Sequence, residues 1–140
     1  MDLLVQKLSE EAILPEKAYD SDSGFDLFSR THIVLQPLER YSISTQIAIK
    51  LPNNYGAMVC DRSSNALKRG FHTLGQIIDQ NYTGEIRVCI INLSDTKQII
   101  NIGDKIAQLI LLPVPKINIV QVQKLPPTDR NSQGFGSSDR

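Results

Sequence analysis

The chain has 140 residues, 41% of them hydrophobic, with four Phe, four Tyr and no Trp, so one domain with a core of Ile, Leu and Val is expected. Lys and Arg number 15 and Asp and Glu 15, a formal net charge of zero, which excludes bulk attraction to nucleic acid or an anionic membrane. Two cysteines, Cys60 and Cys89, are too few for a disulfide framework and lack zinc-site spacing, so they read as buried, reduced thiols.

No basic segment followed by an apolar one opens the sequence. The longest apolar stretch, Leu109 to Val114, contains Pro113 and falls far short of a membrane span. A soluble, cytoplasmic protein is the expectation. Residues 2–8 alternate enough for a first strand, and Glu11 to Tyr19, with Pro15, reads as extended connection. Ser21 to Leu27 is a turn-rich segment entering a short strand. From His32 onward the period is two. Ile43, Thr45, Ile47, Ile49 and Leu51 share one face of a strand whose other face is Ser42, Ser44, Gln46 and Lys50. Pro52-Asn53-Asn54 makes a turn, and strands are expected over Tyr55–Cys60, Ile86–Leu93, Lys97–Asn101, Lys105–Leu112 and Ile117–Gln123. Only Ser63 to Arg69 reads as helix, with serine at its cap and basic residues at its end. Between them, Gly75 to Glu85 reads as a strand ending in Asp79, a tight turn carrying Tyr82, and a second strand. The fold class is therefore all-β: a single-domain jelly roll or β-barrel over residues 1–125 with one short helix. Residues 126–140, poor in large apolar side chains, form a mobile C-terminal arm.

The sequence has no P-loop, no His-Glu-x-x-His pair and no Gly-x-Ser-x-Gly elbow. With only His32 and His72, triad or histidine–metal chemistry is not expected. Three polar clusters stand at strand ends instead: Asp26 after the serine-rich turn, Arg62-Ser63-Ser64 opening the helix, and Gln108 interrupting an apolar strand. A helix start preceded by arginine suits a phosphate, although a plain cap with a solvated arginine would look the same. Phe135, between two glycines, either dangles or stacks on something. Burying it stabilises by roughly 2–3 kcal/mol, whereas ordering each residue of the arm costs roughly 1–2 kcal/mol. An anion bound by Arg130 and Ser137 would have to contribute, which suits a ligand with a flat base and phosphates.

Five segments, in order, resemble the trimeric dUTP pyrophosphatases (dUTPases) along nearly the whole chain: Ser23-Gly24-Phe25-Asp26-Leu27, Arg62-Ser63-Ser64, Ile78 to Glu85, Gly103 to Ile110, and Arg130 through Ser137. The resemblance implies a β-barrel or jelly-roll homotrimer that splits dUTP into dUMP and pyrophosphate with Mg²⁺, at active sites shared between subunits. It implies that Asp79 positions the attacking water and meets the 3′-OH, and that Tyr82 packs under the sugar and selects deoxyribose. Backbone groups from Thr73 through Gln76, Ile77 and Ile78 would read uracil. Arg62, Ser63, Ser64 and Gln108 would hold the phosphates, and Asp26 would order waters on Mg²⁺. From the arm, Arg130 would reach the terminal phosphate and Phe135 would stack on the base, beside Gly136 and Ser137. The chain departs from the family pattern at Gln76, usually glycine, at Asp61, usually proline, at Ser64-Asn65, usually Gly-Leu, and at Asn131 and Asp139 of the arm. Two other readings follow from the same residues. One is a catalytically silent relative that senses nucleotides or binds protein. The other is a relative of the dCTP deaminases, which carry a glutamate where this chain has Cys89.

Overall fold

Strand-forming residues dominate the computed structural model, which describes residues 1–134 and 136. Ten strands and one helix follow in the order β1 (Leu4–Lys7), β2 (Phe25–Phe28), β3 (Ile33–Leu35), β4 (Arg40–Lys50), β5 (Tyr55–Cys60), α1 (Ser63–Arg69), β6 (Phe71–Leu74), β7 (Ile77–Ile78), β8 (Glu85–Asn92), β9 (Gln98–Ile100) and β10 (Lys105–Pro113). They form a sheet ordered β1-β4-β8-β6, a second ordered β2-β10-β5-β7, and a two-stranded β3-β9 ribbon. Every pairing between these strands is antiparallel. The fold is the jelly-roll-like, all-β type that the period-two pattern predicts.

The long strand β4 shows how that pattern becomes a core. Ile43, Thr45, Ile47 and Ile49 are buried, as expected, and pack with Ile86, Val88 and Ile90 from β8. A bulge between Ser44 and Ala48 bends the strand, with Gln46 at φ 54°, and Glu85 reaches across to hold it. The carboxylate of Glu85 accepts from the Gln46 N–H at 3.0 Å and from the Ser44 hydroxyl. Across the irregularity the register shifts, from Ser44 opposite Arg87 to Ala48 opposite Glu85, and pairing resumes beyond it. Phe28 and Phe71 are the aromatic contributions to an interior otherwise made of Ile, Leu, Val and Ala.

Four expectations are corrected. Ile117–Gln123 forms no strand, because no sheet edge of the same chain takes it up and its apolar side chains stay exposed. The helix cap is Arg62 rather than serine, and it makes no side-chain cap bond, since a guanidinium has no acceptor and its Nε is turned toward Asp26. Gly70 ends the helix in the left-handed conformation, φ 66°, behind Lys68 and Arg69. The strands on either side of Tyr82 do not pair with each other: β7 joins β5, and β8 joins β4 and β6 in the other sheet. Finally, Cys60 and Cys89 are half-buried rather than buried, and both are free thiols.

Candidate active site

Strand register brings three distant pieces of sequence together. Gln108, near the middle of β10, stands opposite Asp26 of β2 on one side and Cys60 of β5 on the other. Arg62, Ser63 and Ser64 follow Cys60 after a single residue, Asp61, as the helix begins. Together with Ala18, Asp22, Ser23, Gly24 and Ile110 they line a cavity of about 420 Å³. The Gln108 amide donates to the Asp61 carbonyl at 2.8 Å, which fixes its orientation. Gly24 is required opposite it, because a Cβ there would run into the Gln108 amide oxygen and meet Gln108 Cβ at 3.0 Å.

The charges are tightly matched. Asp26 is largely buried, with Arg62 Nε 2.8 Å from one carboxylate oxygen and Lys105 Nζ 2.8 Å from the other. Lys105 also reaches Glu16 at 3.3 Å, and its hydrogen bond to Asp26 raises its pKa. Helix α1 is seated by Asn65, a buried side chain whose amide donates to the Lys105 carbonyl at 2.9 Å. The Asn that departs from the family pattern thus holds the helix against β10.

The second group of predicted residues lies on the segment that crosses between the sheets. Thr73 is buried in β6. Gly75 then turns the chain at φ 61° with nothing within 4 Å of its missing Cβ, so backbone conformation and not space calls for glycine there. The Gln76 carbonyl accepts from Val59 N–H at 2.8 Å, and Ile77 and Ile78 pair with Met58 and Ala57. Asp79 is exposed, and its carbonyl accepts from Tyr82 N–H at 3.0 Å to close the turn. The Tyr82 hydroxyl donates to the Glu85 carbonyl at 2.9 Å. Its ring lies so close over Gly84 that a Cβ there would meet the ring carbon bearing the hydroxyl at 2.7 Å.

Neither Asp79 nor Tyr82 lines the Gln108 cavity. On β5 the partner of Ile78 is Ala57, three residues from Cys60, which is roughly 10 Å along the strand. The predicted residues therefore fall into two separate groups within one chain, here called half-sites. In the arm, Arg130 Nε donates to the Gln133 carbonyl at 2.9 Å and Gly136 has φ 82°. Phe135 and Ser137 lie outside the described residues.

A dUTPase family model matches residues 10–139. The chain belongs to the dUTPase family. Among curated relatives, the deoxyuridine 5′-triphosphate nucleotidohydrolase of a Hydrogenobaculum species is 46% identical over 141 residues, covering 99% of this chain and 98% of the relative. That of Clostridium kluyveri is 42% identical over 140 residues, with 99% and 98% covered. A mutant dUTPase of Staphylococcus bacteriophage 80alpha, solved with dUpNHpp, superposes with a TM-score of 0.89 at 27% identity over 98% of both chains. A mutant dUTPase of phage phi11 of S. aureus, described with a structural Mg(II) ion, gives 0.82 at 29% identity over 91% of this chain and 100% of the other.

For a dUTPase chain, the five quoted segments resolve into the two half-sites and the arm. Sequence reasoning missed Lys105 as the second cation on Asp26, although it sits inside one of those segments. Only the pairing of β10 with β2 puts it there. Asp61 was noticed as a substitution, but its carboxylate proves to be a hub. It accepts from Thr73 N–H at 2.7 Å and Thr73 hydroxyl at 2.8 Å, and lies 2.7 Å from His72 Nδ1. Burial pushes the Asp61 carboxyl up, but the hydrogen bonds from His72 and Thr73 outweigh it and leave the pKa lowered.

The residues also bear on a divalent cation. Among the described residues no cluster of three or more His, Cys, Asp or Glu could cage a metal. Mg²⁺ does not need one, since it keeps several waters and commonly uses one or two carboxylates plus substrate phosphates. Two carboxylates, Asp22 and Asp26, line the cavity, and Asp26, already paired with Arg62 and Lys105, suits contact through water rather than direct ligation.

Proposed function

We propose that this dUTPase-family chain hydrolyses dUTP to dUMP and pyrophosphate as a homotrimer, with Asp79 orienting the attacking water. The observation that carries the reading is the cavity in which register gathers Arg62, Ser63, Ser64 and Gln108, the residues expected to hold phosphates, with Asp26, expected to order waters on Mg²⁺. Arg62 and Gln108 would fix the phosphates, the serines would donate to them, and Tyr82, held over its own turn, would pack beneath the sugar. The hairpin from Thr73 to Ile78 would read the base, and Arg130 and Phe135 of the arm would close over it.

Free water is far too weak an acid for an ordinary aspartate carboxylate to deprotonate outright. Asp79 would therefore position the water and take its proton late, and charge stabilisation and in-line geometry would supply most of the acceleration. Charge is what one chain lacks. Arg62 and Lys105 are paired with Asp26 and Glu16, and Asp22 also lines the cavity, leaving no surplus of positive charge for a triphosphate. Bound Mg²⁺ would neutralise phosphate oxygens, with Asp26 holding its waters, and Arg130 would add a second cation from the arm.

Two features support a trimer with shared sites. The half-sites are apart within one chain, and Ile117, Ile119, Val120, Val122 and Leu125 are each more than half exposed. Pyrophosphate release from dUTP, dCTP, dTTP and UTP with Mg²⁺ tests the reading. Turnover of dUTP alone is expected, with Asp79→Asn reducing kcat by about 10³-fold or more. Full activity of Asp79→Asn would refute the assignment.

A further inference from the structure

One series of hydrogen bonds runs from the Thr73–Ile78 turn to the Gln108 cavity. The Gln76 side-chain amide donates to the Thr73 hydroxyl at 2.9 Å and to the Thr73 carbonyl at 3.1 Å. The Thr73 hydroxyl in turn donates to Asp61 at 2.8 Å, and Thr73 N–H donates to the same carboxylate oxygen at 2.7 Å. The Asp61 backbone carbonyl accepts from Gln108 in the phosphate cavity at 2.8 Å. Every group in this sequence is used in the sense its chemistry allows: three amides and a hydroxyl donate, and a carboxylate, two carbonyls and that same hydroxyl accept.

The arrangement also pins the segment at both ends. Gln76 is tied through its main-chain carbonyl to Val59 in β5 and through its side chain to Thr73 in β6, so it braces the turn that Gly75 makes between the two sheets. Thr73 is buried, with 2% of its surface exposed, so its N–H depends on Asp61 for an acceptor, while its hydroxyl has only the longer contact to the Val59 carbonyl, 3.4 Å, as an alternative. In a sequence of donors that polarise one another, removing the terminal carboxylate loosens each bond upstream of it.

We propose that Asp61, Thr73 and Gln76 form a positioning relay that holds the Thr73–Ile78 hairpin in the shape that discriminates uracil from cytosine, with Asp61 setting base selectivity though it touches no substrate. The inference rests on the reading that this hairpin meets the base. Gln76 acts here as a brace, which accounts for a long side chain at a turn where glycine would suffice sterically.

The test uses full-length protein with Mg²⁺, competitive inhibition of dUTP hydrolysis by dUMP and dCMP, and hydrogen exchange of amides 73–78 with and without dUMP. The relay predicts that Asp61→Ala and Gln76→Ala each reduce the dUMP-over-dCMP preference on the order of tenfold, the effect of one charged hydrogen bond. The double variant should be no worse than either single one, because both break the same chain. Asp61→Asn, whose amide oxygen can still accept from Thr73, should recover most of the preference. If dUMP protects amides 73–78 in the wild type but both alanine variants keep its preference, the relay is refuted while the hairpin still reads the base. If dUMP leaves those amides unprotected, the hairpin reading fails and the proposal with it. Gln76→Ala, at a partly exposed turn, keeps the test decisive should Asp61→Ala fail to fold.

Discussion

Tyr82 is seated by two residues downstream of it: Glu85, whose carbonyl takes its hydroxyl proton, and Gly84, whose missing side chain leaves room for the ring. Gly84→Ala should therefore lift the ring. A loss of about tenfold in kcat/KM for dUTP is expected, together with weaker rejection of UTP, since one hydrogen bond and one packed face are disturbed. Steady-state kinetics on the two nucleotides checks this. Asp61 carries a second residue-scale consequence. Its carboxyl is lowered from an ordinary value of 3.8, so its contribution to stability is complete above that value and is lost as pH falls through the lower folded pKa. Glu85, pushed up by burial but lowered overall by Ser44, Arg87 and the Gln46 N–H, acts in the same sense. Urea midpoints should fall below pH about 4, and Asp61→Asn should flatten that slope.

At the scale of elements, the phosphate half-site depends on β10 lying between β2 and β5. Gly24→Ala, at the entry to β2, would force Gln108 off the Asp61 carbonyl. It should raise KM for dUTP several-fold and destabilise by about 1–3 kcal/mol, as overpacking does, measurable as a lower Tm. The strands themselves were legible in the sequence, because alternation such as Ile43-Ser44-Thr45-Gln46-Ile47 records which face meets the core. The helix was legible through Ser63 to Arg69 and the basic residues at its end, while Gly70 as its terminator came only from the structure. Pairing partners were not. Nothing local says that β7 leaves β8 for β5, and so a segment that reads as one hairpin becomes a bridge between two sheets. Ile117–Gln123 misled for the opposite reason: its composition suits a strand, but it pairs with none of the edge strands among the described residues. The site residues came from ordered motifs rather than from patterning. Motifs named Asp26 and Arg62, while the ion pair between them and the Lys105 beside it emerged only from three-dimensional register.

For the whole molecule, the separation of Asp79 from the Gln108 cavity has a consequence at the level of mixed populations. If each working centre borrows its acid from one subunit and its phosphate donors from another, a defect in one place does not condemn a subunit's contribution elsewhere. Asp79→Asn protein and Arg62→Ala protein, each inert alone, should recover activity when unfolded together and reassembled. Random assortment of equal amounts pairs an intact acid with an intact phosphate half in about one centre of four. The recovered rate should approach that fraction of wild type, and mixing without reassembly should recover far less. Two silent chains would then make an active enzyme between them.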